Sequence, residues 1–132
     1  MNPFPSRLPN VGTTIFTVMS RLASEHGAIN LSQGFPDFSP PPLLLERAAH
    51  HMQAGANQYP PMAGVVPLRE AIAEKVERLY GARYDMENEI TVTAGATQAL
   101  FTAIAASVRP GDEVIAFAPV YDSYIPAIQL AG

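Results

Sequence analysis

Apolar residues along the chain follow two different periodicities. A stripe with the helical spacing of three to four residues follows Pro67 and comprises Leu68, Ile72, Val76 and Leu79. The charged residues of the same segment, Arg69 among them, are expected to point away from that stripe. By contrast, residues 90–93 form a short β-branched run within a predicted strand at 89–93, and residues 113–118 form a nearly continuous apolar run, which is typical of a buried strand in a parallel sheet.

Glycines, prolines and capping residues divide the chain into predicted elements. Five helices are expected, from Thr13 or Thr14 to about His26, at 43–54, from Pro67 to Gly81, at 95–108 and at 122–131. Strands are expected at 29–31, 89–93 and 113–118, and a turn at 109–112. The second half therefore has the order β-α-β-α, which predicts an α/β architecture.

Composition removes several functional classes. The net charge is −4 and there is no basic block, which argues against a nucleic-acid surface. Cysteine is absent, so disulfides and thiolate metal sites are excluded, and the adjacent His50 and His51 make a poor metal pair. There is no 18-residue apolar run and no signal-peptide pattern, so we expect no membrane segment and a cytoplasmic location.

The candidate chemistry begins where the run 90–93 meets the helix pattern. The residues at this transition, TAGAT at 93–97, are very small. They either allow close packing of helix on sheet, or leave the free amides at a helix start open to a phosphate. Neither the Walker pattern nor G-x-G-x-x-G is present, and there is no neighbouring lysine.

A tyrosine and a loop extend this candidate site. Tyr121 follows the carboxyl end of the second predicted strand, the edge at which open α/β sheets bind ligands. It either stacks on a planar ring or packs at the strand end. Residues 32–42, SQGFPDFSPPP, form a long loop dense in glycine and proline, a kind that is more often functional than idle.

Four stretches together resemble a known family: ASEHGAINLSQGFPDFSPP at 23–41, NQYPPMAGVVPLREAIA at 57–73, ITVTAGATQALF at 90–101 and GDEVIAFAPVYDSY at 111–124. They resemble the N-terminal part of the fold-type-I pyridoxal-phosphate aminotransferases, in the branch of methionine aminotransferase and kynurenine–oxoglutarate transaminase. The resemblance implies a three-layer α/β/α large domain with an N-terminal arm, incomplete in this chain. Residues 1–42 would supply the arm and a small-domain segment, and 43–132 the start of the large domain.

The resemblance also implies roles for particular residues. The phosphate of pyridoxal 5'-phosphate would be held by Gly95, Ala96 and Thr97. Tyr121 would stack on its pyridine ring, and Tyr59 would reach across a homodimer interface to the partner's cofactor phosphate. Gly34 would lie beside the substrate carboxylate, and Phe16 would contact the substrate side chain.

The lysine that this family needs for catalysis is not recognisable here. Lys75 is the single lysine, and it lies in the middle of a predicted surface helix. No catalytic residue is therefore assigned, and no metal site. We expect the chain to be about the first third of a longer enzyme and to be inactive by itself.

The implied reaction is transfer of an amino group from methionine, an aromatic amino acid or kynurenine to a 2-oxo acid. Two alternatives stay open at this point. One is a β-lyase on the same scaffold, and the other is a truncated, non-catalytic product that serves only as a dimer-forming module.

Overall fold

The computed structural model describes residues 4–34 and 36–132, and that part of the chain contains five α-helices. They are α1 (Ile15–Glu25), α2 (Pro42–Gln53), α3 (Val66–Tyr80), α4 (Ala96–Ser107) and α5 (Tyr124–Ala131). Each overlaps a predicted helix, so the helical part of the prediction is confirmed. Phe35 of the predicted loop and residues 1–3 of the predicted arm lie outside the described residues. Among the described helices, none combines the length and apolarity needed to cross a membrane.

The helix ends form where local chemistry predicts them. Thr14, not Thr13, caps α1: its backbone is extended and its hydroxyl accepts a hydrogen bond from the Thr17 N–H at 3.4 Å. Gly81 ends α3 in the left-handed conformation with a φ of 68°, and its N–H donates to the Glu77 carbonyl. α5 begins two residues later than predicted, after a turn in which the Tyr124 N–H donates to the Tyr121 carbonyl.

Contacts divide the chain into two units. The first comprises the residues up to Phe38 together with 97–132, and includes α1, α5 and nearly all of α4. Within it, the Gly111 N–H donates to the Gly132 carbonyl at 3.1 Å and the Arg7 guanidinium donates to the Leu130 carbonyl at 3.2 Å. The predicted turn at 109–112 is confirmed by a hydrogen bond from the Asp112 N–H to the Arg109 carbonyl.

The second unit, residues 39–96, contains α2 and α3. Two of its residues, Gly64 and Arg69, are buried. The predicted domain division after residue 42 stays a prediction.

The expectation that Arg69 points away from the apolar side of α3 is wrong. Arg69 is 4% exposed, whereas Leu68 and Leu79 of the predicted stripe are 43% and 53% exposed. The covered side of the helix keeps Ile72 and Val76 of the predicted stripe and adds Arg69 and Ala73 in place of Leu68 and Leu79. These positions follow the spacing i, i+3, i+4, i+7, so the covered side overlaps the predicted stripe and is turned towards Arg69.

None of the three predicted strands is formed in the described residues, where 29–31, 89–93 and 113–118 have no regular structure. A strand needs a neighbour to satisfy its N–H and C=O groups. The apolar side chains of 29–31 and 113–118 are largely open, with Ile115 at 87% and Phe117 at 88% exposure, whereas Ile90 and Val92 are partly covered. The described part of the chain is thus helical, and the α/β sheet stays a prediction.

Candidate functional site

The small-residue turn leads into the N-terminus of α4, as predicted. Gly95 has a φ of +90°, a conformation that residues with a side chain rarely adopt. Its N–H donates to the Thr93 carbonyl at 2.8 Å, and its carbonyl accepts from the Thr93 hydroxyl at 3.0 Å. Thr93 therefore fixes the turn from within, and Ala96 follows as the first helical residue.

The geometry of this turn is compatible with a bound anion. A Cβ built on Gly95 would meet no atom within 4 Å, so the space in front of the glycine is open. Gly95, Ala96 and Thr97 are all exposed. The first amides of a helix have no acceptor within it and carry the positive end of the helix dipole. Because the Gly95 N–H is already bonded to Thr93, the amides of Ala96 and Thr97 and the Thr97 hydroxyl are the donors available for a phosphate.

Tyr121 lies in a cluster of three aromatic residues. Its ring centroid is 6.1 Å from that of Phe16 on α1, with the planes at 40°, and 6.1 Å from that of Tyr124 on α5, with the planes at 63°. The first is a tilted contact and the second an edge-to-face contact, both at distances that favour aromatic pairs. Tyr121 is still 51% exposed, so part of the ring is free to contact a ligand. The structure thus brings together two residues that were predicted separately, Phe16 and Tyr121.

Tyr59 begins the loop 59–64, whose far end is firmly held. The tyrosine itself is 99% exposed. The Gly64 N–H donates to the Pro61 carbonyl at 2.8 Å, and the Ala63 carbonyl accepts from the Val92 N–H at 2.9 Å. An exposed aromatic residue on an anchored loop is suited to a ligand or a partner.

Gly34, the remaining candidate, and Lys75, the single lysine, are both exposed. Gly34 is exposed, and a Cβ there would meet no atom within 4 Å. Lys75 is exposed in the middle of α3. Among residues 4–34 and 36–132, no group of three or more histidine, aspartate or glutamate side chains is arranged to hold a metal ion.

Two residues near these candidates were missed. Tyr124 was not singled out, although its position three residues after Tyr121 places both on one side of a helical turn. Arg69 was assigned to the surface because of its charge, but its spacing from Ile72, Ala73 and Val76 was the available signal that it shares their side of α3.

The sequence matches known proteins over nearly its whole length. The family model "Aminotransferase class I and II" matches residues 26–132. The methionine aminotransferase of Escherichia coli K12 is 67% identical over 96% of this chain, and the human kynurenine–oxoglutarate transaminase 1 is 39% identical over 96%. The chain spans about a third of the length of these curated relatives, 33% of the first and 30% of the second.

A solved structure gives the same result. A crystal structure from Escherichia coli, of a protein with a methionine aminotransferase function, matches 97% of this chain with a TM-score of 0.91 and 66% identity, and the match covers 34% of that protein. Sequence and structure agree with the resemblance stated above. The chain therefore belongs to the class I and II aminotransferase family.

Proposed function

We propose that these residues form the N-terminal third of a pyridoxal-phosphate-dependent aminotransferase. The complete enzyme would move an amino group from methionine, an aromatic amino acid or kynurenine to a 2-oxo acid. The observation that supports this most directly is the open, glycine-led N-terminus of α4 in a chain that belongs to the family. The methionine preference is supported by the 67% identity to a methionine aminotransferase.

In this proposal, each predicted residue binds or orients a group. The amides of Ala96 and Thr97, with the Thr97 hydroxyl, hold the phosphate, and Gly95 leaves it room. Tyr121 packs on the pyridine ring, which supplies the electron sink of the reaction. Phe16, in contact with Tyr121, lies beside that ring and contacts the substrate side chain. Gly34 leaves space for the substrate carboxylate.

The proton-transferring lysine must be supplied from outside these 132 residues. Lys75 is exposed on α3, in a surface-helix context. We therefore assign it no catalytic role. A full-length relative is about three times as long as this chain, which leaves ample length for that lysine.

The same proposal accounts for the apolar segments that lack strand structure. In the complete enzyme, residues 89–93 and 113–118 would be strands of a three-layer α/β/α domain, with neighbours supplied by the rest of the enzyme. Assembly as a homodimer, with Tyr59 serving the partner subunit's site, and a cytoplasmic location belong to this proposal too.

The test is a Gly95→Asp substitution in the complete enzyme. The new carboxylate would occupy the open space at the α4 N-terminus and repel a phosphate there. We expect cofactor affinity, measured by titrating the apoenzyme, to fall at least about a hundredfold. Gly95→Ala adds a Cβ without charge, so its cofactor affinity should lie between those of Gly95→Asp and the parent. Unchanged affinity in Gly95→Asp would assign the turn to helix packing.

A further inference from the structure

Arg69 is the one charged side chain that is buried within the described part of the chain. Its Nε donates to the Gly64 carbonyl at 3.1 Å, and its Nη1 donates to the Met86 carbonyl at 2.6 Å. The same Nη1 lies 3.5 Å from Oε2 of Glu87. Burying a guanidinium is costly unless its donors are paired, and these three acceptors fix the group in one orientation.

The Gly64 carbonyl belongs to the anchored end of the loop 59–64. On the neighbouring peptide, the Ala63 carbonyl accepts from the Val92 N–H at 2.9 Å. Gly64 has a φ of +101°, and a Cβ there would lie 2.7 Å from Cγ2 of Val92. Arg69 therefore holds the loop at the point where it lies directly against Val92.

Tyr59 is connected to this point by a stiff piece of chain. Pro60 and Pro61 follow it, and their rings restrict φ. The Gly64 N–H closes the turn onto the Pro61 carbonyl at 2.8 Å. The direction in which the Tyr59 side chain projects from the second unit is therefore set by the turn that Arg69 holds in place.

Val92, on which the loop 59–64 is anchored, is also connected to the turn at Gly95. Val92 precedes Thr93, whose carbonyl and hydroxyl both bond to Gly95. The two elements proposed to meet a cofactor phosphate, the loop of Tyr59 and the turn at Gly95, thus share one attachment within the second unit.

We propose that Arg69 is a positioning residue for cofactor binding. Its guanidinium does not touch the cofactor, but locks the loop 59–64 onto Val92 so that the Tyr59 hydroxyl is presented in one position. The planar guanidinium reaches two carbonyls at once, which the single ammonium of lysine does not reproduce. This inference rests on the proposed function, because it assumes that Tyr59 and Gly95 serve cofactor phosphates.

The first test is Arg69→Lys in the complete enzyme, with Arg78→Lys as its control. Arg78 lies on the same helix but is exposed, so the control makes the same chemical change without touching the anchor. We expect Arg69→Lys to weaken cofactor affinity about tenfold and Arg78→Lys to leave it unchanged. Hydrogen exchange at the Val92 amide should accelerate in Arg69→Lys only. Unchanged affinity in a folded Arg69→Lys enzyme would overturn the proposal.

A double-mutant cycle separates positioning from general support of the fold. If Arg69 acts through Tyr59, then Arg69→Lys should cost less than about threefold in affinity in a Tyr59→Phe background. A tenfold loss in both backgrounds would show that Arg69 acts independently of Tyr59, and the proposal would be wrong.

Two further variants keep the test decisive. If Arg69→Lys fails to fold, Pro61→Gly loosens the same connection without changing the guanidinium, and it should weaken cofactor affinity several-fold. No change in Pro61→Gly would contradict the proposal. Gly95→Asp is titrated in parallel: if it binds cofactor as the parent does, the proposed function itself fails. If Gly95→Asp is weakened but Arg69→Lys is not, only the positioning role fails.

Discussion

The loop 59–64 and the segment 113–118 are both irregular and both carry exposed aromatic residues, but they are held very differently. The loop is fixed by Val92, by its own turn and by the Arg69 guanidinium, all within one unit. The segment 113–118 has no regular structure, and Ile115 and Phe117 are almost fully open. The partners of the loop all lie between residues 59 and 92, whereas the sheet neighbours of the segment 113–118 are, in our proposal, supplied by the rest of the enzyme.

The largest predicted effect is the absence of enzymatic activity in the 132-residue chain alone. The 132-residue chain should show no transaminase activity and form no covalent bond between Lys75 and pyridoxal phosphate, because Lys75 is exposed on α3, away from any catalytic context. The measurement is a visible spectrum with the cofactor, followed by borohydride reduction and peptide mapping. A specific adduct at Lys75 together with turnover would contradict the prediction.

Phe117 tests whether the open segment is covered in the complete enzyme. If 113–118 becomes a buried strand there, Phe117→Ala should lower the free energy of unfolding by about 3–5 kcal/mol. Phe117→Leu, which keeps most of the volume, should cost less than about 1.5 kcal/mol. A loss of about 0.5 kcal/mol or less for Phe117→Ala in urea unfolding would mean that the side chain stays at the surface.

Gly64 tests whether the loop 59–64 is tightly packed against Val92. Gly64→Ala should cost about 2–4 kcal/mol of unfolding free energy, because it forces a side chain into a positive φ and into Cγ2 of Val92. Gly55 is a matched control with a φ of +85° and open space around its Cβ position. Gly55→Ala should cost only the backbone strain of about 1–2 kcal/mol. Equal losses in the two variants would show that the contact with Val92 is unimportant.

The contrast also explains which features the sequence could predict. Helix ends depend on neighbours within a few residues, so local chemistry alone predicted the end of α3 at Gly81 and narrowed the cap of α1 to Thr13 or Thr14. The burial of Arg69 depends on which of two adjacent sides of α3 is covered, and its charge pointed to the wrong one. The strands depend on pairing with segments distant in sequence, which no local pattern supplies.

The candidate site divides in the same manner. The turn at Gly95 could be predicted from the cluster of small residues where a β-branched run meets a helix pattern, and its φ of +90° is one that glycine adopts readily. The contact between Phe16 and Tyr121 could not be predicted. These residues are far apart in sequence, and only the fold brings their ring centroids to 6.1 Å.

Tyr59 should have a smaller effect than the backbone changes at Gly64. A hydroxyl that donates to a phosphate forms a charge-assisted hydrogen bond, which contributes roughly 1.5–3 kcal/mol. Tyr59→Phe in the complete enzyme should therefore weaken cofactor affinity about ten- to a hundredfold and leave the oligomeric state unchanged, as titration and sedimentation would show.

Hybrid dimers show which subunit Tyr59 serves. One subunit carries Tyr59→Phe and the other lacks the catalytic lysine. If Tyr59 acts across the interface, the site that keeps its lysine also receives an intact Tyr59 from its partner, and it should bind cofactor as the parent does. The weakened affinity of the Tyr59→Phe homodimer at that site would place Tyr59 in its own subunit's site.

The smallest effect concerns Asp85, whose turn carries two of the Arg69 partners, Met86 and Glu87. The Glu87 N–H donates to Oδ1 of Asp85 at 3.0 Å, and Nδ2 of Asn88 donates to Oδ2 at 2.6 Å. These two hydrogen bonds, the Glu87 N–H first, lower the pKa of Asp85 below its ordinary value of 3.8. The side chain is fully exposed, so the effect on stability is small.

The direction of the pH dependence follows from that lowered pKa. The carboxylate form is favoured in the folded state, so its contribution is complete above pH 3.8 and is lost as the pH falls through the lowered pKa. An NMR titration of the Glu87 amide proton should therefore have its midpoint below 3.8. Removing one donor with Asn88→Ala should move that midpoint up towards 3.8 while the turn stays formed. A midpoint at or above 3.8 in the parent would mean that the Asp85 turn is open in solution, and that the Met86 carbonyl is not held in place for Arg69 from this side.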